Sequence, residues 1–479
     1  MRPLLRDHRS GFLRAAPLAA ALALAGCALN PLPDAQALRA DALPSVKTPA
    51  AWAAQGGAAG AVRDDWLAGF ADKQLHALVF EALASNLDLR VAAARVDRAG
   101  AYARQAGSTL YPQVNALASG SFSGFDSGNA FDIVGLFVSW ELDLWGRVRS
   151  QAEAGTAQYE ATAKDAEYAR QSIAALVARS WFLAIEARRQ RAIAQEVVVA
   201  AESLAALARE RARIGRGDEY DVRVAQAALQ GYRDTVLQLQ LSEQQAIRAI
   251  ETLVGRYPAG ALDASAPFPK LPGPVPAGLP SELLERRLDV AAAERRVASA
   301  YYMVGEAQAA RLPRISLTAS GSSITSDLVF LKDRDNPAWS AGGSLMAPIF
   351  LGGALKAQVE VRTAEQKAAV ADYGRIGARA FSEVENALSA GFNLAQRVPV
   401  LETSVAENTR ALELAQVRYR VGTADQRAVQ QQVIATSAAR SALTRAQSEQ
   451  LVQRVNLHLA LGGGFAPAPE AAPAQSASR

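Results

Sequence analysis

Val134-Gly135-Leu136-Phe137-Val138-Ser139-Trp140-Glu141-Leu142-Asp143-Leu144 carries the reading of the fold. Val134, Leu136, Val138, Trp140, Leu142 and Leu144 fall on one side of an extended chain, and Gly135, Ser139, Glu141 and Asp143 on the other. Successive side chains of a strand point to opposite faces, so a period of two with one apolar set marks a strand with one apolar face. Upstream, Val114, Ala116, Ala118, Gly120 and Phe122 alternate with Asn115, Leu117, Ser119, Ser121 and Ser123. A loop of Gly, Ser, Asp and Asn joins the two runs into a hairpin. The arrangement recurs with Ile315, Leu317 and Ala319, then Ala341, Gly343, Leu345, Ala347 and Ile349. Four strands thus share an apolar face, and no separate apolar helix is left over to cover it. A soluble two-faced sheet explains one hairpin. Four such strands fit the wall of a membrane β-barrel, with lipid on one side and water on the other. Two uncharged stretches, 105–125 and 336–355, have the length of a spanning helix. The first is rich in Ser, Gly and Asn, and the second holds Pro337, Pro348 and two Gly-Gly pairs, which argues against one.

The hairpins belong to an internal duplication. Leu87-Asp88-Leu89 matches Leu288-Asp289-Val290, Pro112 matches Pro313, and Ala118-Ser119-Gly120 matches Ala319-Ser320-Gly321, all at an offset of 201. Farther on the offset is 207, pairing Gly146 with Gly353, Ile214-Gly215 with Val421-Gly422, and Val254-Gly255 with Leu461-Gly462. The change falls between Gly120 and Val134, so the second copy has the longer loop there, as an exposed turn allows. The first copy covers 87–255, with its hairpin at about 113–145. The second covers 281–462, with its hairpin at about 314–351.

Polar, Ala-rich segments follow each hairpin at 148–213 and 355–420, each about 99 Å long if continuous helix at 1.5 Å per residue. Their sparse apolar residues are spaced by three, four and seven, as in Leu176 with Leu183, Val197 with Leu204, Leu207 with Ile214 and Val405 with Leu412. Helices of this kind pack side by side in coiled-coil fashion. A soluble helical bundle would read the same, and only the hairpins exclude it. The segments end at turns containing Gly215 and Gly217, or Gly422, where glycine permits a left-handed cap and chain reversal. Return helices follow at about 218–254 and 426–461. The helix ahead of each hairpin has Asp88 or Asp289 as its expected N-cap, and the first could continue the line of the return helix end to end. Pro399, deep in the second long segment, predicts a kink or break. Residues 256–280 hold seven of the 21 prolines and read as an extended linker, and 463–479 as a mobile tail.

The chain has 479 residues, and its formal charge of +4 comes mostly from the first 26, where Arg2, Arg6, Arg9 and Arg14 face Asp7. Without them 47 basic and 46 acidic residues remain of the chain's 51 and 47, so charge gives no ground for nucleic-acid binding. A single cysteine excludes a disulfide framework. Residues 1–26 have the build of a secretory signal, too short to remain as a spanning helix. Leu24-Ala25-Gly26-Cys27 resembles the bacterial lipobox, in which the cysteine becomes the lipid-bearing terminus, and Ala28 favours the outer membrane. Residues 27–86 would then form a lipid-anchored N-terminal segment, with no cofactor beyond the lipid on Cys27. Neither a phosphate-binding glycine loop, a metal-ligand cluster nor a catalytic triad is apparent, which points away from an enzyme.

Together with Leu24 to Cys27, five further motifs resemble those of the TolC-like outer-membrane efflux proteins, in the lipoprotein, NodT-like type that serves resistance-nodulation-division pumps. They are Trp140-Glu141-Leu142-Asp143-Leu144-Trp145-Gly146-Arg147, Leu279-Pro280-Ser281-Glu282-Leu283-Leu284-Glu285-Arg286-Arg287, Ala347-Pro348-Ile349-Phe350-Leu351-Gly352-Gly353, Arg418-Tyr419-Arg420-Val421-Gly422-Thr423 and Leu461-Gly462-Gly463-Gly464. The resemblance runs from Cys27 to Gly464. It implies a mainly α fold with a membrane β-barrel portion, as a homotrimer. Each protomer gives four strands to one twelve-stranded barrel in the outer membrane, and its helices to a periplasmic tunnel. The implied partners are outer-membrane lipid, a periplasmic adaptor and an inner-membrane pump.

That reading makes the chain a passive exit duct, gated where the helices turn, at 214–221 and 421–428. Asp218, Glu219, Tyr220 and Asp221 are expected to form ion pairs or hydrogen bonds with Arg418 and Arg420 of the second copy, beside Tyr419. The sequence departs from the family in having Ala428 and Gln431 where acidic residues are common, and Leu288 for a proline. The competing reading is a periplasmic coiled-coil adaptor or scaffold lipoprotein, which needs a soluble β domain where a duct needs lipid-facing strands.

Overall fold

The computed structural model describes residues 32–58, 60–62, 64–119, 132–325 and 337–464. Cys27, the signal, the tips of both hairpins and 465–479 lie outside the described residues.

In chain order the elements are α1 (Ala35–Ala42), α2 (Trp66–Gly69), α3 (Lys73–Ser85), α4 (Leu87–Ser108), β1 (Gln113–Ser119), β2 (Asp132–Leu142), α5 (Arg147–Arg213), α6 (Glu219–Leu253), α7 (Pro280–Arg286), α8 (Leu288–Ala309), β3 (Arg314–Thr325), β4 (Pro337–Met346), α9 (Ala354–Arg420) and α10 (Gln426–Ala460). The duplication is carried into the helix lengths: α4 and α8 have 22 residues each, α5 and α9 have 67, α6 and α10 have 35. No helix among the described residues is long and apolar enough to cross a membrane.

The chain divides into two compact units. One comprises Met1–Ser45, Ala94–Asp165 and Asp289–Ile376 and holds the sheet. Its strands run antiparallel in the order β1-β2-β3-β4. Beside them, the Ser299 hydroxyl donates to the Ala154 carbonyl at 2.9 Å, and Arg296 pairs with Asp165. Gly155 lets α4 approach α5, since a Cβ there would stand 3.2 Å from the Ala106 Cβ. Asp34 caps α1, whose C-terminal Ala42 lies against Gly374 of α9.

The other unit comprises Val46–Ala93, Ala166–Leu288 and Gly377–Arg479. Its core sets Trp66, Phe70, Leu75 and Val79 against Trp181, Phe182 and Ile185 of α5, Ile250 of α6 and Leu451 and Val455 of α10. Each large side chain removed from water contributes about 1.5–3 kcal/mol. Asp72 serves this core twice: one oxygen caps α3 through the Gln74 and Leu75 amides, and the other accepts from the Trp181 indole at 2.8 Å. The segment at 27–86 is therefore more than a tether, because 66–85 supplies one wall of the core.

The structure bears on five of the expectations. Asn86, rather than Asp88, caps α4, its Oδ1 accepting from the Leu89 amide at 3.1 Å. Asp289 stands inside the first turn of α8. α9 is unbroken through Pro399, so the expected break is absent. Only the N–H is lost there, and the helix keeps its turns on either side. The proline-rich stretch has no helix, yet it is pinned. It forms a parallel bridge from Pro276 to Ala58, and the buried Glu251 carboxylate accepts from the Gly260, Ala261 and Leu262 amides. Burial raises the Glu251 pKa, and those three donors outweigh it, leaving it below the usual glutamate value. Gly463 and Gly464, expected within the tail, are hydrogen-bonded to the His458 carbonyl and the Asp64 carboxylate.

Candidate functional site

Strand register decides which residues share a face. Val114 pairs with Val138 and Ala116 with Leu136; Val138 pairs with Ala319, Trp140 with Leu317 and Leu142 with Ile315; Ala319 pairs with Ala341, Leu317 with Gly343 and Ile315 with Leu345. Over these pairs one face is apolar across all four strands. The opposite face carries Asn115, Ser139, Glu141, Ser316, Thr318, Ser320, Ser340 and Ser344, with Leu117, Phe137 and Met346 among its apolar members. Val114, Leu136, Leu317, Leu345 and Trp339 stand exposed, Trp339 by 81%. A soluble sheet would bury that face. Each outer strand, β1 and β4, has one edge without a strand partner among the described residues.

At the base of the sheet, Asp143 ends β2 and starts α5, accepting from the Val148 and Arg149 amides at 3.1 and 2.9 Å. Gly146 takes φ +74° in the turn between them. Glu141 holds Arg147 through two bonds of 2.9 and 2.7 Å, and Glu306 lies 3.7 Å from the same guanidinium. The Trp140 and Trp145 indoles donate to the Leu110 and Pro313 carbonyls. The second copy lacks this apparatus. At the matching offset Phe350 replaces Asp143, and β4 stops at Met346, short of the expected 349–351. Pro348 cannot donate to a ladder. Ile349 and Phe350 are left 91% and 86% exposed.

At the helix turns, Gly215 and Gly422 adopt φ of +72° and +85°. In both, the amide three residues beyond the last helical residue closes back on the helix: Arg216 to the Arg211 carbonyl at 2.8 Å and Thr423 to the Arg418 carbonyl at 2.9 Å. Gly217 has a different reason, since a Cβ there would sit 3.2 Å from the Ala212 nitrogen. Asp218 and Asp425 cap the return helices, accepting from the Asp221 and Ala428 amides. The expected ion pairs from Asp218, Glu219 or Asp221 to Arg418 or Arg420 do not occur among the described residues. Asp218 is committed to its cap, and Glu219 pairs with Arg223 one turn along its own helix. The two turns meet through other groups. Arg211 lies 4.6 Å over the buried Tyr419 ring, Arg427 lies 5.7 Å over Tyr220, and the Gln426 amide donates to the Asp221 carbonyl at 3.4 Å. Tyr419 also packs among Leu204, Val429 and Val433. Asp425 was findable as the partner of Asp218 at offset 207. Arg211, Gln426 and Arg427 were not, because cation–π and amide contacts leave no spacing signal.

Both parts of the chain match the model of one family, described as outer membrane efflux protein, over residues 78–256 and 279–463. The chain belongs to the outer membrane efflux protein family. It is 30% identical over 461 residues to the cation efflux system protein CusC of Escherichia coli, covering 94% of this chain and 98% of that one. It is 31% identical over 424 residues to the outer membrane protein OprJ of Pseudomonas aeruginosa, covering 84% and 86%. The solved outer-membrane channel OprN superposes with a TM-score of 0.81 at 30% identity, over 89% of this chain and 99% of that one. Membership places this efflux protein in the outer membrane.

Proposed function

We propose that the chain is the exit duct of a tripartite efflux system and performs no bond chemistry. Three copies close their four-stranded sheets into a twelve-stranded barrel, and a periplasmic adaptor and an inner-membrane resistance-nodulation-division pump supply cargo and energy. The carrying observation is the exposed apolar face held in register over four strands with open outer edges. Lipid-exposed backbone must be hydrogen-bonded, so those edges require sister strands. The turns at 214–221 and 421–428 form the periplasmic gate, with Tyr220, Tyr419, Arg418 and Arg420 at its lip. A lipid on Cys27 anchors the chain to the outer membrane, and small drugs or toxic compounds leave through a lumen that selects weakly. Conductance of the purified protein in a planar bilayer tests this reading. Discrete channels are expected, with openings made more frequent by Tyr419→Ala. A protein silent in both forms, and free of detergent dependence once Cys27→Ser removes the lipid, would be a scaffold.

A further inference from the structure

A cleft of about 620 Å³ lies in the second unit between α5, α9 and α10, and its wall includes Tyr168, Ser172, Arg179, Arg379, Asn386 and Asn456. The wall has one carboxylate, Glu383, and both its oxygens are engaged. One accepts from Arg287 at 2.6 Å and the other from Arg379 at 2.7 Å. Arg179 has no carboxylate within ion-pair distance among the described residues. Its Nη1 donates to the Asn456 Oδ1 at 3.1 Å, and its Nε is buried without an acceptor. Burial pulls the Arg179 pKa below the usual arginine value, against a smaller opposing effect of Tyr168, and the same phenol acts on Arg379. The two guanidinium groups and the phenol all line this one cleft.

A guanidinium is a planar fork of donors matched to two oxygens of a carboxylate or phosphate. Keeping such a charge half-buried with an orphaned donor is unfavourable unless an acceptor reaches it. We propose that this cleft binds a small oxyanion, a phosphate or carboxylate group, bridged between Arg179 and Arg379. The inference concerns the folded chain and does not depend on conduction.

Isothermal titration of the full-length protein in detergent, with inorganic phosphate and separately with citrate at fixed ionic strength, tests it. One saturable event per chain is expected with at least one probe, and which probe binds names the anion class. Arg179→Gln should weaken it by about tenfold or more, and Arg179→Lys by less, because the charge stays while the fork is lost. Arg410→Gln, on an exposed stretch of α9, should leave it unchanged. Arg379 is 65% exposed, so Arg379→Gln carries the same expectation should Arg179→Gln misfold. No saturable heat with either probe, or equal binding by Arg179→Gln and Arg410→Gln, overturns the proposal.

Discussion

Asn86 and Arg287 occupy the same place in the two copies, at an offset of 201, and they meet carbonyls that match at 207. The Asn86 Nδ2 donates to the Leu253 carbonyl at 2.8 Å, and Arg287 donates to the Ala460 carbonyl at 3.2 Å. Each ties the end of a return helix to the start of the helix that leads into the same copy's hairpin, where the last carbonyls lack helical partners. The solutions differ chemically. Asn86 also caps α4 with its Oδ1, whereas Arg287 is 1% exposed and needs Glu383 beside it. Asn86→Ala should destabilise the protein by about 2 kcal/mol, read as earlier thermal loss of helical circular dichroism. Asn86→Asp should not rescue it, because an acceptor would then face the Leu253 carbonyl. His458 carries a pH dependence. It is buried, stacked on Trp66 at 5.9 Å, and its Nδ1 has no hydrogen-bond partner. Burial first and Arg454 second lower its pKa to about 4, with Asp65 opposing. The unfolded chain takes up this proton near pH 6.5 and the folded chain only near 4, so stability falls as pH drops through that window. The loss should approach about 3 kcal/mol at its foot, and His458→Phe should flatten this part of the stability profile against pH.

At the scale of elements, the contact of α1 with α9 depends on one missing methyl. A Cβ on Gly374 would overlap the Ala42 carbonyl oxygen, so Gly374→Ala must displace α1. The expected result is faster tryptic cleavage after Arg39, with the helical signal of the rest retained. Much of the helical plan was legible, because duplication and polar periodicity outlast sequence divergence over 67 residues. Helix starts were less so. Asp88 has the chemistry of a cap, but Asn86 can donate as well as accept, and the Leu253 carbonyl required a donor. At Pro399 no break forms, because a helix of many turns survives the loss of a single bond. The end of β4 was hidden because Ala347 and Ile349 continue the alternation while Pro348 interrupts the ladder. The asymmetry between Asp143, half-buried in its capping role, and Phe350, exposed at the matching place, has no signature in hydropathy alone.

At the scale of the whole molecule, the sheet was the most legible feature of the site and the helix turns the least. Alternation fixes a face by counting residues, whereas Arg211 over Tyr419 and Arg427 over Tyr220 arise only when two distant turns fold together. Assembly therefore offers the sharpest comparison between faces of one sheet. Leu136 and Ser139 belong to β2 three residues apart, the first on the apolar face and the second on the polar one. Arginine on a lipid-facing strand costs about 2–4 kcal/mol at the bilayer midplane, while a lumen position keeps its hydration and changes selectivity instead. Leu136→Arg should thus deplete the heat-modifiable oligomer in outer-membrane extracts. Ser139→Arg should assemble normally and shift channel current toward anions. Equal assembly of the two variants would mean that neither face meets lipid. Loss of assembly by Ser139→Arg alone would exchange the two faces, placing the serine row against the membrane.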